Sequence, residues 1–137
     1  MKQLVNSTAF YKLEVDLHKQ RLYVKLASSW NKQQIAEEYL RDVRKAVMEF
    51  SAPFSCLADF SDMKPFTSQA HLQIHLKALA LLRSSGMVRS AEVMPEDTRA
   101  HEQLLQIAEM GKAKLALFGN AEIAELFLDN STHEMIM

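Results

Sequence analysis

The chain is short of the residues that disulfide frameworks, linkers and catalytic thiol sites require. Its 137 residues include one cysteine, Cys56, with three glycines and three prolines. A single cysteine cannot form an internal disulfide. Because Cys56 lies within an apolar run, we interpret it as a buried thiol rather than a nucleophile. So few glycines and prolines leave little room for flexible linkers, which favours one domain over residues 1–137.

A surplus of charge of one sign is also lacking. The chain has 16 Lys and Arg against 17 Asp and Glu, a formal net charge of −1. Binding to nucleic acid or to anionic lipid through bulk charge needs a Lys/Arg surplus, so this balance argues against both. No apolar run is long enough to span a membrane, and residues 1–10 lack the apolar core of a signal peptide. We therefore expect a cytoplasmic protein with at most peripheral membrane contact.

The hydrophobic pattern predicts an α/β fold. Residues 10–17 and 21–26 alternate between apolar and polar side chains, which is typical of a half-buried antiparallel hairpin. Helical patterns then alternate with short apolar runs, which implies crossover connections and parallel pairing. The predicted strands are residues 10–17, 21–26, 54–60, 88–93 and 114–118.

The prediction is thus a mixed five-stranded sheet with four main helices. Its ordered core covers about residues 9–129, and residues 131–137 have no pattern and form a predicted frayed tail. In such sheets ligands bind beyond the carboxyl ends of the strands.

Catalytic motifs are absent from the sequence. It contains no Gly-rich phosphate loop, no nucleophile elbow and no Cys-x-x-Cys. His71 and His75 lie one helical turn apart, a spacing that suits a metal, but no nearby cysteine or carboxylate completes a site. We therefore expect no enzyme, cofactor or metal; an unrecognised hydrolase would need a cluster of titratable groups in a cleft.

The predicted helix over residues 68–84 has two apolar faces. Leu72, Leu76 and Leu79 form one stripe, while Ile74, Ala78 and Leu81 form another on roughly the opposite side. A helix with two apolar faces must bury both. One face can pack on the sheet, and the other against a neighbouring helix, a second subunit in a homodimer, or an apolar ligand.

Large apolar residues also mark the predicted loops beside this helix. They can line a pocket or touch a membrane surface, although ordinary packing of a loop would use the same residues. Together with polar groups on the helix, they form a candidate ligand-binding set of Trp30, Met63, Phe66, His71, Leu72 and His75.

Two segments resemble a known family. The stretch LADFSDMKPFTSQAH (residues 57–71) and the closing stretch KLALFGNAEIAELFLD (residues 114–129) are similar to STAS domains of the SpoIIAA-like group. The resemblance covers about residues 10–129 and rests on the order of elements more than on any one motif. It implies a mixed sheet with helices packed on it and no cofactor chemistry.

Part of this family suggests a phosphorylated switch. Anti-sigma-factor antagonists of this fold carry an Asp-Leu-Ser strand end, followed by an Asp-Ser-Ser-Gly turn whose serine is phosphorylated. Asp59-Phe60-Ser61 is similar to that strand end, and Ser68 falls by spacing at the phosphorylated serine. Thr67, Gln69 and Ala70 depart from the turn. Ser68 is also a good helix cap in its own right.

The branch that lacks this turn resembles CRAL-TRIO lipid-binding domains, which implies a small hydrophobic ligand or transient membrane contact. Our first hypothesis is therefore a non-enzymatic domain that binds a small apolar molecule or lipid through the candidate ligand-binding set. The alternative is a protein–protein regulatory module of the antagonist type, with or without phosphorylation of Ser68. A homodimer is compatible with both.

Overall fold

The computed structural model describes residues 1–28, 33–51, 53–66 and 68–136, without the side chains of residues 28, 33 and 131–136. Within these residues the chain forms six strands and four helices. The strands are β1 (Lys2–Ser7), β2 (Tyr11–Asp16), β3 (Arg21–Ser28), β4 (Phe54–Met63), β5 (Met87–Val93) and β6 (Leu117–Phe118). The helices are α1 (Gln33–Val47), α2 (Gln69–Ser84), α3 (Thr98–Met110) and α4 (Ala121–Ile136).

The strands form one mixed sheet in the order β1-β2-β3-β4-β5-β6. β1, β2 and β3 pair antiparallel, while β3 to β6 pair parallel. The predicted α/β class, hairpin and parallel crossovers are confirmed, but the prediction of five strands is wrong. It missed β1, an edge strand whose residues are mostly exposed and whose hydrophobic alternation is therefore weak.

Several predicted boundaries also differ from the structure. β4 runs on to Met63, so three residues predicted as loop belong to the strand. β6 contains only Leu117 and Phe118 of the predicted strand over residues 114–118. β1 precedes the predicted core over residues 9–129, and α4 continues to Ile136 through the predicted frayed tail. Ends of elements depend on tertiary pairing, which periodicity does not report.

The two faces of the sheet are covered unequally. α1, α2 and α3 pack on one face around the main core, which includes Leu13, Val24, Phe54 and Ile74. α4 covers the other face through a smaller cluster of Tyr23, Leu57, Ala91, Val93, Ala124 and Leu128. Successive strand residues point to opposite faces. β5 therefore contributes Ala91 and Val93 to the α4 side, and Glu92 between them to the side that α2 and α3 cover.

Ionic contacts fasten α4 to the sheet beside this small cluster. Nη1 of Arg21 lies 2.7 Å from Glu125 Oε2 and 2.7 Å from Asp129 Oδ1, and Arg21 is only 1% exposed. Its Nε donates to Ser55 Oγ at 2.9 Å, and the Tyr23 hydroxyl donates to Glu125. Partial burial of Glu125 acts to raise its pKa. The hydrogen bonds from Tyr23 and Arg21 outweigh this effect, so that the pKa of Glu125 is lowered overall.

Candidate functional site

The sequence-predicted site residues converge on the start of α2, a region that we call the α2 entry (residues 63–75, except residue 67). It follows the carboxyl end of β4, as expected for a site in a parallel sheet. Trp30 and Thr67 lie outside the described residues. The structure describes Met63, Phe66, Ser68, His71, Leu72 and His75.

Ser68 is the N-cap of α2. Its backbone is extended, at φ −138° and ψ 154°, and its Oγ accepts a hydrogen bond from the His71 backbone N–H at 3.3 Å. Ser, Thr, Asp and Asn begin helices in this way because their side chains accept from a backbone N–H that has no partner within the helix. The capping role predicted from the sequence is therefore confirmed. Ser68 is also exposed, which keeps its hydroxyl within reach of other molecules.

The segment that leads into Ser68 is fastened to α3 by one side chain. Gln103 Nε2 donates to the Phe66 carbonyl at 2.8 Å, and its Oε1 accepts from the Phe66 backbone N–H at 3.0 Å. The Phe66 side chain is 9% exposed and lies against the His75 ring, with centroids 5.5 Å apart. Sequence reasoning missed Gln103, because a glutamine on a polar helix face carries no pattern that distinguishes it from its neighbours.

The two histidines of the α2 entry differ in exposure, with His71 buried and His75 half-buried. Burial, together with the neighbouring His71, lowers the pKa of His75 from 6.5 to about 4. His71 is buried, and its Nδ1 has no hydrogen-bond partner among the described residues. A neutral imidazole does not attract an anionic headgroup, so His75 supplies no cation for one at neutral pH.

Met63 and Leu72 belong to the main core. Their side chains are 4% and 5% exposed. A cavity of about 400 Å³ lies under α2. Of the candidate ligand-binding residues that the structure describes, His75 alone lies on its wall. The others pack the α2 entry rather than surround this space.

The stripe of Leu72, Leu76 and Leu79 on α2 packs within the molecule. α2 lies between α1 and α3. Leu79 and Leu76 approach Gly111, the residue that ends α3. Arg83 donates to the carbonyls of Gly111 and Lys112, which ties the far end of α2 to the same turn. Among the alternatives that the sequence left open, packing against the third helix therefore describes this face.

Reactive groups do not gather at the α2 entry. No group of three or more His, Cys, Asp or Glu that could hold a metal occurs among the described residues. Burial raises the pKa of the Cys56 thiol, which keeps it protonated and unreactive. No helix in the part of the chain that the structure describes is long and apolar enough to cross a membrane.

Comparison with known proteins gives the fold. No protein-family model matches the sequence, and no curated protein does so significantly. Solved structures that are similar to the chain include those of SpoIIAA, of a SpoIIAA-like protein and of SiaC. The anti-sigma factor antagonist SpoIIAA in its unphosphorylated form has 12% identity and a TM-score of 0.55, covering 90% of this chain and 92% of SpoIIAA.

An uncharacterised protein with a SpoIIAA-like fold from Shewanella loihica has 14% identity and a TM-score of 0.59, covering 93% and 92% of the two chains. SiaC of Pseudomonas aeruginosa has 11% identity and a TM-score of 0.53, covering 85% and 95%. These structures confirm the expected SpoIIAA-like fold over nearly the whole chain. At such low identity they show the fold and not the activity.

Proposed function

We propose that this chain is a non-enzymatic regulatory module that binds another protein through the α2 entry. The observation that carries the proposal is the exposed Ser68 at the N-cap of α2, on a segment that Gln103 holds against α3. A fixed, exposed helix start offers a partner a preorganised surface with little ordering cost.

Two proteins of this fold are described as regulators of other proteins. SpoIIAA is named an anti-sigma factor antagonist, and SiaC is named the activator of the diguanylate cyclase SiaD, with which it forms a complex. These names support the partner-binding hypothesis over the lipid-binding one for this chain. We extend only the mode of action to this chain, namely regulation by direct contact between proteins.

Phosphorylation of Ser68 is physically compatible with this role. A phosphate at a helix N-terminus faces backbone N–H groups and the positive end of the helix dipole. The first turn of α2 carries no acidic residue that would repel it. Gln69 and Ala70 stand where the antagonists have serine and glycine after the phosphorylated serine. A kinase would therefore meet a different sequence in this chain. The proposal therefore includes binding with or without a phosphate.

The proposal is tested by photo-crosslinking in cells. A photoreactive amino acid replaces Gln69 or Gln73, which are exposed on α2, and in a control chain it replaces Met48, which is 79% exposed beyond the end of α1. We expect a discrete protein adduct from the α2 positions and none from position 48. Equal adducts from all three positions would mean that the α2 entry has no special part in binding.

A second comparison tests Ser68 itself. Ser68→Asp introduces a charge while Ser68→Asn does not, yet both side chains cap helices well. We expect Ser68→Asp to change the adduct yield by roughly tenfold, equivalent to about 1.4 kcal/mol of binding free energy, and Ser68→Asn to leave it nearly unchanged. If the two variants behave alike, charge at this position does not control the contact.

A further inference from the structure

A cavity of about 400 Å³ between α2, α3 and the sheet is lined mainly by apolar residues. Tyr39, His75, Ser90 and Glu92 also line it, as do four cationic residues, Arg83, Arg89, Lys112 and Lys114. Its floor is formed by the adjacent strand residues Val24, Ala58 and Glu92, which are register partners across β3, β4 and β5. The helices above contribute Ala78, Leu82, Leu104 and Ile107. Two alanines in facing positions, Ala58 and Ala78, leave space that larger side chains would fill.

Glu92 is an unusual residue for this position. It is 5% exposed and lies on the α2 and α3 side of β5, because its neighbours Ala91 and Val93 pack on α4. Its Oε1 accepts from the Ser90 hydroxyl at 2.7 Å. Its Oε2 is buried without a hydrogen-bond partner among the described residues. An unpaired buried carboxylate oxygen is costly, so a protein that retains one commonly uses it.

The unpaired Oε2 of Glu92 favours a ligand with a donor group. Burial raises the pKa of Glu92 to about 7, although the Ser90 hydroxyl and the Ala116 backbone N–H lower it in part. The cavity reaches the surface beside exposed Val88, Lys112 and Lys114, at the part of β5 that β6 leaves unpaired. Its volume lies within the roughly 300–1,000 Å³ typical of small-molecule pockets.

We propose that this cavity binds a compact, mostly apolar molecule that carries one hydrogen-bond donor, which Oε2 of Glu92 accepts. The apolar walls supply the binding energy, and Glu92 selects molecules that bear an N–H or O–H group. This proposal is independent of the proposed role of the α2 entry, because the cavity lies behind α2 and not at its exposed first turn.

The test uses a pair of probes that differ in the donor alone. Indole carries an N–H group, and indene has nearly the same shape without one. We expect indole to bind the intact protein about tenfold more tightly than indene, as measured by titration calorimetry. In protein NMR spectra, both probes should shift the methyl signals of Leu82, Leu104 and Ile107, which line the cavity. The methyl signals of Leu13, on the α1 side of the core, should not shift.

Substitutions test whether the preference for indole over indene depends on Glu92. Glu92→Met keeps the length of the side chain but removes the acceptor, so the tenfold preference should disappear. Glu92→Gln keeps an acceptor oxygen and should retain most of it. The control Glu102→Met, at an exposed position on α3, should leave the preference unchanged. Ala78→Leu reduces the space and should abolish binding of both probes.

Three results would overturn the proposal. The first is binding of neither probe, which would mean that the space holds only water. The second is equal binding of indole and indene by the unmodified protein. The third is a preference that survives Glu92→Met. Should Ala78→Leu fail to fold, the comparison of the two probes in the unmodified and Glu92→Met proteins decides the matter without it.

Discussion

At the scale of the single residue, Arg21 is expected to contribute several contacts to stability. It is 1% exposed and bonds to Glu125, Asp129 and Ser55. Breaking a buried ion pair by removing one partner typically costs about 3–5 kcal/mol. Glu125 and Asp129 keep 25% and 39% of their side-chain surface exposed, so water can solvate them after the change. We therefore expect Arg21→Met to lower the free energy of unfolding by about 3 kcal/mol, measured in urea.

The matched control is Lys12→Met. Lys12 pairs with Glu14 at 3.7 Å, but 48% of its side-chain surface is exposed. Exposed pairs contribute about 0–1 kcal/mol, so this variant should unfold close to the unmodified protein. If Arg21→Met and Lys12→Met lower the free energy of unfolding equally, the Arg21 contacts stabilise the protein no more than an ordinary surface ion pair does.

At the scale of the element, the contact between α2 and α3 depends on Gly111. A Cβ at this position would lie 2.5 Å from Leu79 Cδ2 and 3.2 Å from the Ile107 carbonyl oxygen. The leucine methyl can move but the backbone oxygen cannot, so we expect Gly111→Ala to destabilise the protein by about 1–2 kcal/mol. Thermal unfolding followed by circular dichroism measures the change.

Two further variants make this prediction specific. Gly119→Ala is the control, because nothing lies within 4 Å of a Cβ there, and it should be neutral within about 0.5 kcal/mol. Leu79→Ala removes the methyl that the new Cβ meets, so Gly111→Ala should cost less in that background than alone. Additive effects would mean that α2 and α3 do not pack at this point as described.

The elements differ in how well the sequence predicts them. The start of α2 at Ser68 and its end at Ser84 were predictable, because capping and turn chemistry are local to a few residues. β1 was missed because its stability depends on pairing with β2 rather than on its own pattern. The mixed sheet followed from the alternation of strands and helices.

The candidate site was predictable only in part, for the same reason. Ser68 was found by its spacing and its capping chemistry. The Gln103 bonds to Phe66 and the unpaired Glu92 oxygen join segments far apart in the chain. Met63 and Phe66 were predicted as an apolar pocket entrance, while the structure has both in the core, since sequence alone does not report which apolar loop residues fold inward.

At the scale of the whole molecule, two buried groups give stability opposite pH dependences. Burial raises the pKa of Glu92 from 4.5 to about 7, so the contribution of its neutral form is complete below pH 4.5 and is lost as the pH rises through 7. Burial and His71 lower the pKa of His75 from 6.5 to about 4. Its contribution is present above pH 6.5 and is lost as the pH falls through 4.

Replacing one of the two groups isolates the other. Glu92→Gln cannot ionise, so between pH 5 and pH 8 the unmodified protein should lose up to about 3 kcal/mol more unfolding free energy than this variant. Urea unfolding at four pH values across that interval gives the slope of unfolding free energy against pH for both proteins. His75 is present in both and contributes equally to the two slopes. Glu102→Gln should keep the slope of the unmodified protein. Parallel slopes for Glu92→Gln and the unmodified protein would show that Glu92 titrates normally.

The strand order has a consequence for how the chain folds as it is synthesised. Every strand lies beside its neighbour in the sequence, so each new strand can add to an edge that already exists, without inserting between earlier ones. Short sequence separation between partners favours rapid folding, and synthesis from the N-terminus presents the strands in the order in which they pair. α4 is the exception, because Glu125 and Asp129 reach back more than a hundred residues to Arg21. α4 is thus synthesised after all six described strands and packs back on β3 through Arg21.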